Sequence, residues 1–335
     1  MKHGSARHKL LPLAALFVAD VAPALAAEMG RAPISSGTFA TIEGGYTYRS
    51  GEDAIGHALV PTGIPQDPAI DTFISAEQGW HAGASLGIVA HEPLIAGLPF
   101  TRAEAYFTFA TVDDSNSSTI EAPGAISLKS VDGSALAVEG TNGKTSQEVR
   151  TYDGGVRFAF DQAASARSSL SWVLTPFVRN TEEETRSFAT GTADFAGTSA
   201  DVSSWSYGAM LAVEPEIWLT SAVALVGRVG AGIYGYHAEG DFTSASSESP
   251  DPFAANVSDD ASGVGFRGQL GAGVKVRVAP GATLTGYAET DYFSAVGTAN
   301  LPDNQFSTLT TSSIDMDDAW ELRAGARFSI GLAAP

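Results

Sequence analysis

The chain has 335 residues, of which 44% are hydrophobic and 17% charged; this excludes a disordered protein and leaves room for one large domain or two ordinary ones. It contains no Cys, so disulfide staples, thiolate metal sites and a cysteine nucleophile are excluded. A formal net charge of −19 argues against nucleic acid as a partner, because a phosphate-binding surface needs the opposite sign.

The first element is a leader. Lys2, Arg7 and Lys9 form a positive region, Leu10 to Val18 an apolar core, and Ala24-Leu25-Ala26 offers small residues where a signal peptidase reads. This predicts a signal peptide over 1–26, cleaved before Ala27, then a short N-terminal periplasmic segment over 27–38. The apolar core is too short to span a bilayer, and no later apolar run approaches the roughly 18 residues of a transmembrane helix.

Beyond the leader the chain alternates. Successive side chains on a strand point to opposite faces, so alternation of apolar and polar residues marks a two-faced strand. The segments read this way are Phe39–Arg49, Trp80–His91, Phe100–Val112, Val149–Asp161, Leu170–Asn180, Trp205–Pro215, Ala222–His237, Val264–Val278, Leu284–Phe293 and Trp320–Leu332. The last is the clearest. Trp320, Leu322, Ala324, Ala326, Phe328, Ile330 and Leu332 share one face, opposite Glu321, Arg323, Arg327 and Ser329. Its length matches the roughly 9–11 residues with which a tilted strand crosses a bilayer. In Ala222–His237 both faces are apolar apart from Arg228, and Leu284–Phe293 alternates weakly.

Connections between the strands are long and short in turn. The short ones are His91–Pro99, Gln162–Ser169, Glu214–Ser221 and Ala279-Pro280-Gly281; the long ones cover about Ser50–Gly79, Asp113–Glu148, Thr181–Ser204, Ala238–Gly263 and Ser294–Ala319. Such asymmetry belongs to an up-and-down transmembrane barrel with tight periplasmic turns and long extracellular loops. The expected fold is therefore all-β: an antiparallel barrel over 39–332 with about ten strands and a three-residue tail at 333–335. The alternative count is twelve, if Ile126–Val131 and Ser134–Glu139 around Asp132-Gly133 form wall strands of their own.

Charge placement follows the same parity. Glu43, Arg49, Arg102, Glu104, Asp153, Arg157, Arg179, Arg228, Arg267, Lys275, Arg277, Glu289, Asp291, Glu321, Arg323 and Arg327 fall on the face assigned to the interior, and Glu214 joins them. A basic residue facing lipid at the midplane costs about 2–4 kcal/mol, whereas carboxylates and guanidinium groups inside a narrow lumen pair with one another. Tyr46, Tyr48, Trp80, Phe158, Phe160, Trp172, Trp205, Trp218, Tyr292 and Trp320 lie near strand ends, where interfacial girdles sit.

With these features, from about Phe39 to Leu332, the chain resembles the Gram-negative outer-membrane β-barrel class. The class usually finishes on an aromatic residue, whereas this chain ends Phe328-Ser-Ile-Gly-Leu332-Ala-Ala-Pro335. The resemblance implies an outer-membrane location, contact with lipid and lipopolysaccharide, and insertion by the barrel-assembly machinery.

A faint further likeness is to the omptin proteases, which as a family are ten-stranded and use an acidic pair at one rim and a His with a carboxylate at another. Here the corresponding residues are Asp113 and Asp114, with His237 and Glu239. The family's Asp two residues before the His is replaced by Gly235. No other catalytic pattern is present: His81 and His91 are about 33 Å apart on one strand, too far to share a metal, and there is no His-Glu-x-x-His, phosphate loop or Gly-x-Ser-x-Gly. Glu52, Asp53, Asp67, Asp71 and Glu77 in the first long loop, and Glu239, Asp241, Glu248, Asp251, Asp259 and Asp260 in the fourth, offer carboxylates to divalent cations or remain solvated.

The expected function is that of a narrow porin-like channel or a structural, surface-contact barrel without cofactor or resident metal. The alternatives are an omptin-like endopeptidase and a soluble secreted barrel or sandwich, which would carry a polar outer face.

Overall fold

Alternation over most of the chain gives strands, and strands with one apolar face avoid free edges by closing into a ring. The computed structural model describes residues 37–54, 58–60, 70–71, 74–90, 92–132, 135–165, 167–191, 195–247, 253–301 and 311–332. The leader, residues 27–36, His91, Asp67, Glu248, Asp251 and the tail lie outside the described residues.

In chain order the strands are β1 Gly37–Ala54, β2 Ala58–Val60, β3 Ile70–Asp71, β4 Ile74–Val89, β5 Arg102–Lys129, β6 Ala135–Ser165, β7 Ser168–Gly191, β8 Phe195–Trp218, β9 Val223–Ser246, β10 Phe253–Ala279, β11 Ala282–Asn300 and β12 Ser313–Leu332. Ten of them form the wall. β1 pairs with β4, β4 with β5, and each later strand with the next, all antiparallel, until β12 returns to β1. The short β2 and β3 stand outside this ring, with β2 paired to the far end of β5.

The count of twelve is thus corrected. Residues 126–129 and 135–139 are continuations of β5 and β6, paired as Ile126↔Val138 to Lys129↔Ala135, and add length rather than new wall strands. The four later long connections are likewise mostly strand. β6 has 31 residues and β5 has 28, far more than a bilayer crossing requires, so the wall projects well beyond it.

Parity holds around the ring. On β8 the odd residues face out and the even ones in, and the same rule places Leu225, Val229 and Ile233 of β9 outside and Arg228 and Tyr234 inside. This resolves the strand whose two faces looked alike. Ile42, Leu86, Ile233 and Val264 are 62%, 64%, 68% and 77% exposed on the outer wall. A belt of apolar side chains on that scale is unfavourable in water but matches the hydrocarbon of a bilayer.

Aromatic rings border the belt. At one rim Trp80, Phe109 and Tyr152 stack in series at 5.3 and 5.2 Å, and Tyr292 meets Trp320 at 4.7 Å. At the other, Phe100 meets Phe158 at 5.8 Å, with Trp172 exposed nearby. Trp218 departs from expectation. It occupies an inward position on β8, where the Arg277 guanidinium lies over its ring at 4.9 Å, so it belongs to the mouth at the short-turn end and not to a girdle.

Turns and packing reflect local chemistry. Ala279 pairs with Ala282 across the two-residue turn Pro280-Gly281, where Pro supplies the fixed φ and Gly281 takes the left-handed φ of 75°. Inside, large rings lie over glycines on the neighbouring strand. Gly265 faces Tyr234 in register, and a Cβ at Gly265 would sit 2.4 Å from the Tyr234 ring. That ring in turn packs against Phe177 and Phe293 in the interior. Gly265→Val should therefore lower the stability of the folded barrel by about 1–3 kcal/mol through overpacking, read as a fall in the temperature of its heat-modifiable gel transition. Gly286→Ala, which meets nothing within 4 Å, should leave that transition in place; equal effects of the two would refute the packing account.

Candidate functional site

Among the described residues, charged and hydrogen-bonding side chains concentrate in the interior. Because the outer belt is apolar, its charged residues occupy inward positions, where they bond to one another between neighbouring strands and in places across the lumen.

Near the short-turn end Lys275 pairs with Glu216, Arg228 with Glu214 at 3.0 Å, and Arg102 with Glu214 at 3.4 Å and Asp161 at 3.9 Å. Higher up, Arg157 reaches Glu104 at 3.5 Å and lies over the Tyr106 ring at 4.3 Å. Arg327 bonds Glu43 at 2.6 Å and Glu289 at 3.3 Å, beside a His81–Tyr287 contact of 2.7 Å. Arg267 joins Asp153 at 3.0 Å to Asp291 at 3.2 Å, and Arg323 reaches the other oxygen of Asp291 at 2.5 Å.

The pair Arg179–Glu321 spans the ring. β7 and β12 are diametrically opposite in the strand order, yet both terminal guanidinium nitrogens of Arg179 donate to the two carboxylate oxygens of Glu321. Arg179 also lies over the Phe293 ring at 4.1 Å. Bidentate pairing fixes orientation as well as distance. Phe177, Met210, Tyr234, Phe293 and Val296 pack around these groups as a buried apolar cluster.

Above the belt the mouth is covered by two segments. The β10–β11 ladder stops at Arg267↔Phe293, a bulge follows, and the upper part of the β11–β12 hairpin leaves the wall. Ala295, Val296 and Gly297 are buried in succession, which means that both faces of this segment are covered. Inward side chains of the wall hold its backbone. Tyr234 Oη donates to the Ala295 carbonyl at 2.7 Å and accepts from its N–H at 3.0 Å, Glu183 accepts from Ala299 N at 3.3 Å, and Asp259 accepts from Ile314 N at 2.9 Å.

The second cover is the tip of the β5–β6 hairpin, which reaches across to β9. Val131 is fully buried against Ala200, Val202, Phe242 and Leu301. Its N–H donates to Ser244 Oγ at 2.9 Å, and its carbonyl accepts from Ser312 N at 2.7 Å.

Most of the expected interior network is thereby brought together, with two departures. Arg277 stacks on Trp218 at the short-turn end, exposed and without a carboxylate partner among the described residues. Arg49 is buried beside a small cavity lined by Thr47, Val112, Thr151 and Glu321, with its Nη1 unbonded. Three carboxylates of the interior were absent from the expected set. Asp161 had the right parity, Glu216 lay one residue past the expected strand end, and Glu183 fell in an expected loop. Glu183 sits above the belt, between the outward Glu182 and Glu184, and burial pushes its carboxyl above the usual range against the pull of Arg49.

The protease-like residues are not assembled. Asp113 and Asp114 are adjacent on β5 and so face opposite sides. His237 and Glu239 share an outward face of β9, where they bond each other at 3.1 Å with side chains 45% and 74% exposed, and His237 also contacts Ser262 at 2.9 Å. Strand order puts β5 and β9 on opposite sides of the ring. Of the acidic loop residues, Glu239, Asp241 and Asp260 are exposed on the outer wall and Asp259 points inward; Glu52, Asp53, Asp71 and Glu77 lie on strands, with side chains outside the described residues.

No protein-family model matches the chain. No curated protein matches it either. Among solved structures it is similar to the outer-membrane protease OmpT of Escherichia coli, at 7% identity, TM-score 0.41 and coverage of 88% of this chain and 97% of that one. It is also similar to Ail, the attachment invasion locus protein of Yersinia pestis, at 12% identity and TM-score 0.24, covering 88% and 99%. A third likeness is to a major outer membrane protein of Thermus thermophilus, at 11% identity and TM-score 0.27, covering 86% and 99%.

The Arg179–Glu321 pair has a measurable signature. Arg179→Met leaves Glu321 buried without its main partner and should cost about 3–5 kcal/mol. Replacing both by Met should recover most of that loss in a denaturant titration, whereas equal losses in the single and double variants would show that the pair is not coupled. The ring closure, the apolar outer belt and the charged interior together make this chain a ten-stranded β-barrel of the outer-membrane type.

Proposed function

We propose that the protein is an outer-membrane barrel with a closed lumen, acting through its extracellular face as a structural or surface-contact protein. The observation that carries this reading is the double cover of the mouth by the β11–β12 hairpin and the β5–β6 tip. A conducting pore needs a continuous wet path with sites weak enough to release their ions. The residues that would line such a path here are engaged with one another, across the lumen in Arg179–Glu321 and Arg267–Asp153 and along the wall in Arg323–Asp291. The endopeptidase reading loses support from the outward placement of His237 and Glu239.

On this reading the belt meets lipid, and the acidic outer residues above it meet lipopolysaccharide, with divalent cations bridging carboxylate to phosphate. The leader and the belt both favour an outer-membrane location. Purified protein reconstituted in a planar bilayer should give no discrete conductance steps at moderate voltage. Reproducible steps from a homogeneous preparation would overturn the closed-lumen reading and restore the channel.

A further inference from the structure

Inward folding of β11 leaves its neighbour with a bare edge. From Phe253 to Phe266, β10 is paired to β9 alone; among the described residues no strand pairs with its other side above Arg267. Which backbone groups point to that side follows from two bonds. Phe266 N donates to Ser294 Oγ on the β11 side, and Arg277 N donates to Ala222 O on the β9 side. The register with β9 runs without a shift, so the N–H and C=O groups of Asn256, Ser258, Asp260 and Ser262 face the open side. Their side chains are exposed on the outer wall, and no Pro or Lys interrupts the stretch.

The surroundings carry one sign of charge. Asp260 lies opposite Glu239 on β9, Ser258 opposite Asp241, and Asp241 opposite Asp201 on β8. No Lys or Arg occurs between Arg186 and Arg228 or between Arg228 and Arg267. An open edge is a template for another strand, and the charge of Asp260 on it selects against a like-charged one. A second copy of this chain would set acidic edge against acidic edge, and like charges across a strand pair are destabilising.

We infer that the upper edge of β10 is a docking edge for an extended, Lys- or Arg-rich peptide segment of another macromolecule, which adds as a further strand. The inference rests on the surface-contact reading and specifies the partner's chemistry. Backbone bonds to residues 256–262 would hold the segment, and its basic side chains on one face would meet Asp260, Glu239 and Asp241.

The test uses the full-length barrel in detergent and a fluorescein-labelled decapeptide of alternating Lys and Thr, followed by anisotropy. Saturable binding is expected, weakened at least tenfold by Ser258→Pro, which removes an open-side N–H while sparing the β9 ladder. Asp260→Asn should weaken it severalfold and reduce its salt dependence. Should Ser258→Pro lose its heat-modifiable migration, the same peptide N-methylated at alternate residues takes its place, and one of the two methylation phases must abolish binding. Binding indifferent to both the Pro and the N-methyl changes would be non-directional charge attraction and would overturn the proposal, as would absence of saturable binding or a stable homodimer that excludes the peptide. Conductance measured on the same preparation separates the two readings. A silent barrel that ignores the peptide refutes only the docking edge, and a conducting barrel that binds it refutes only the closed lumen.

Discussion

The constraint on which everything else depends is the cost of placing a charge against lipid. Each basic side chain on the outer belt would cost about 2–4 kcal/mol at the midplane, so within the belt every Arg of the wall takes an inward position. Once inside a narrow ring these groups are removed from water, and an uncompensated buried charge is worse still. Pairing is the remaining solution, and Arg179–Glu321, Arg267–Asp153 and Arg327–Glu43 are its instances. Two of these pairs, Arg179–Glu321 and Arg267–Asp153, join strands on different sides of the ring.

The same ring explains the mouth. Wall strands longer than a bilayer crossing carry the sheet beyond the apolar belt, where neither face is forced to be apolar. There the wall opens on one side, because β11 and β12 bend inward and find partners in Tyr234, Glu183 and Asp259. A hairpin that fills the mouth is a hairpin missing from the wall. The covered mouth and the edge of β10 that is unpaired among the described residues are two results of one departure.

The wall within the belt was legible in the sequence because two solvents of opposite preference act on its two faces. Trp320–Leu332 states its parity residue by residue, and so do Trp80–Val89 and Val264–Val278. Above the belt both faces are rich in Ser, Thr, Ala and Gly, as in Thr198–Ser204 or Thr243–Ser246, and the signal fades although the strands continue. Glu183 was missed for that reason, and Glu216 because it lies one residue past the expected end of its strand, at the other end of the barrel. Two other points needed only stricter use of parity: neighbours such as Asp113 and Asp114 cannot share a face of one strand, and Trp218 follows the outward Ile217. Val131 and the inward turn of β11 rest on contacts between residues distant in sequence, which no local pattern records.

The central claim, that charged side chains fill a closed interior behind a lipid-facing wall, is open to one direct measurement. The chain has no Cys, so single cysteines placed along Trp320–Leu332 can each carry a nitroxide label in the reconstituted barrel. Relaxation by oxygen reports lipid contact, and relaxation by a polar nickel complex reports contact with water. High oxygen exposure at 322, 324, 326, 328 and 330, with neither reagent reaching 321, 323 and 325, is the predicted pattern. Solvent-like nickel exposure at 321 and 323 would contradict the account by showing a water-filled lumen.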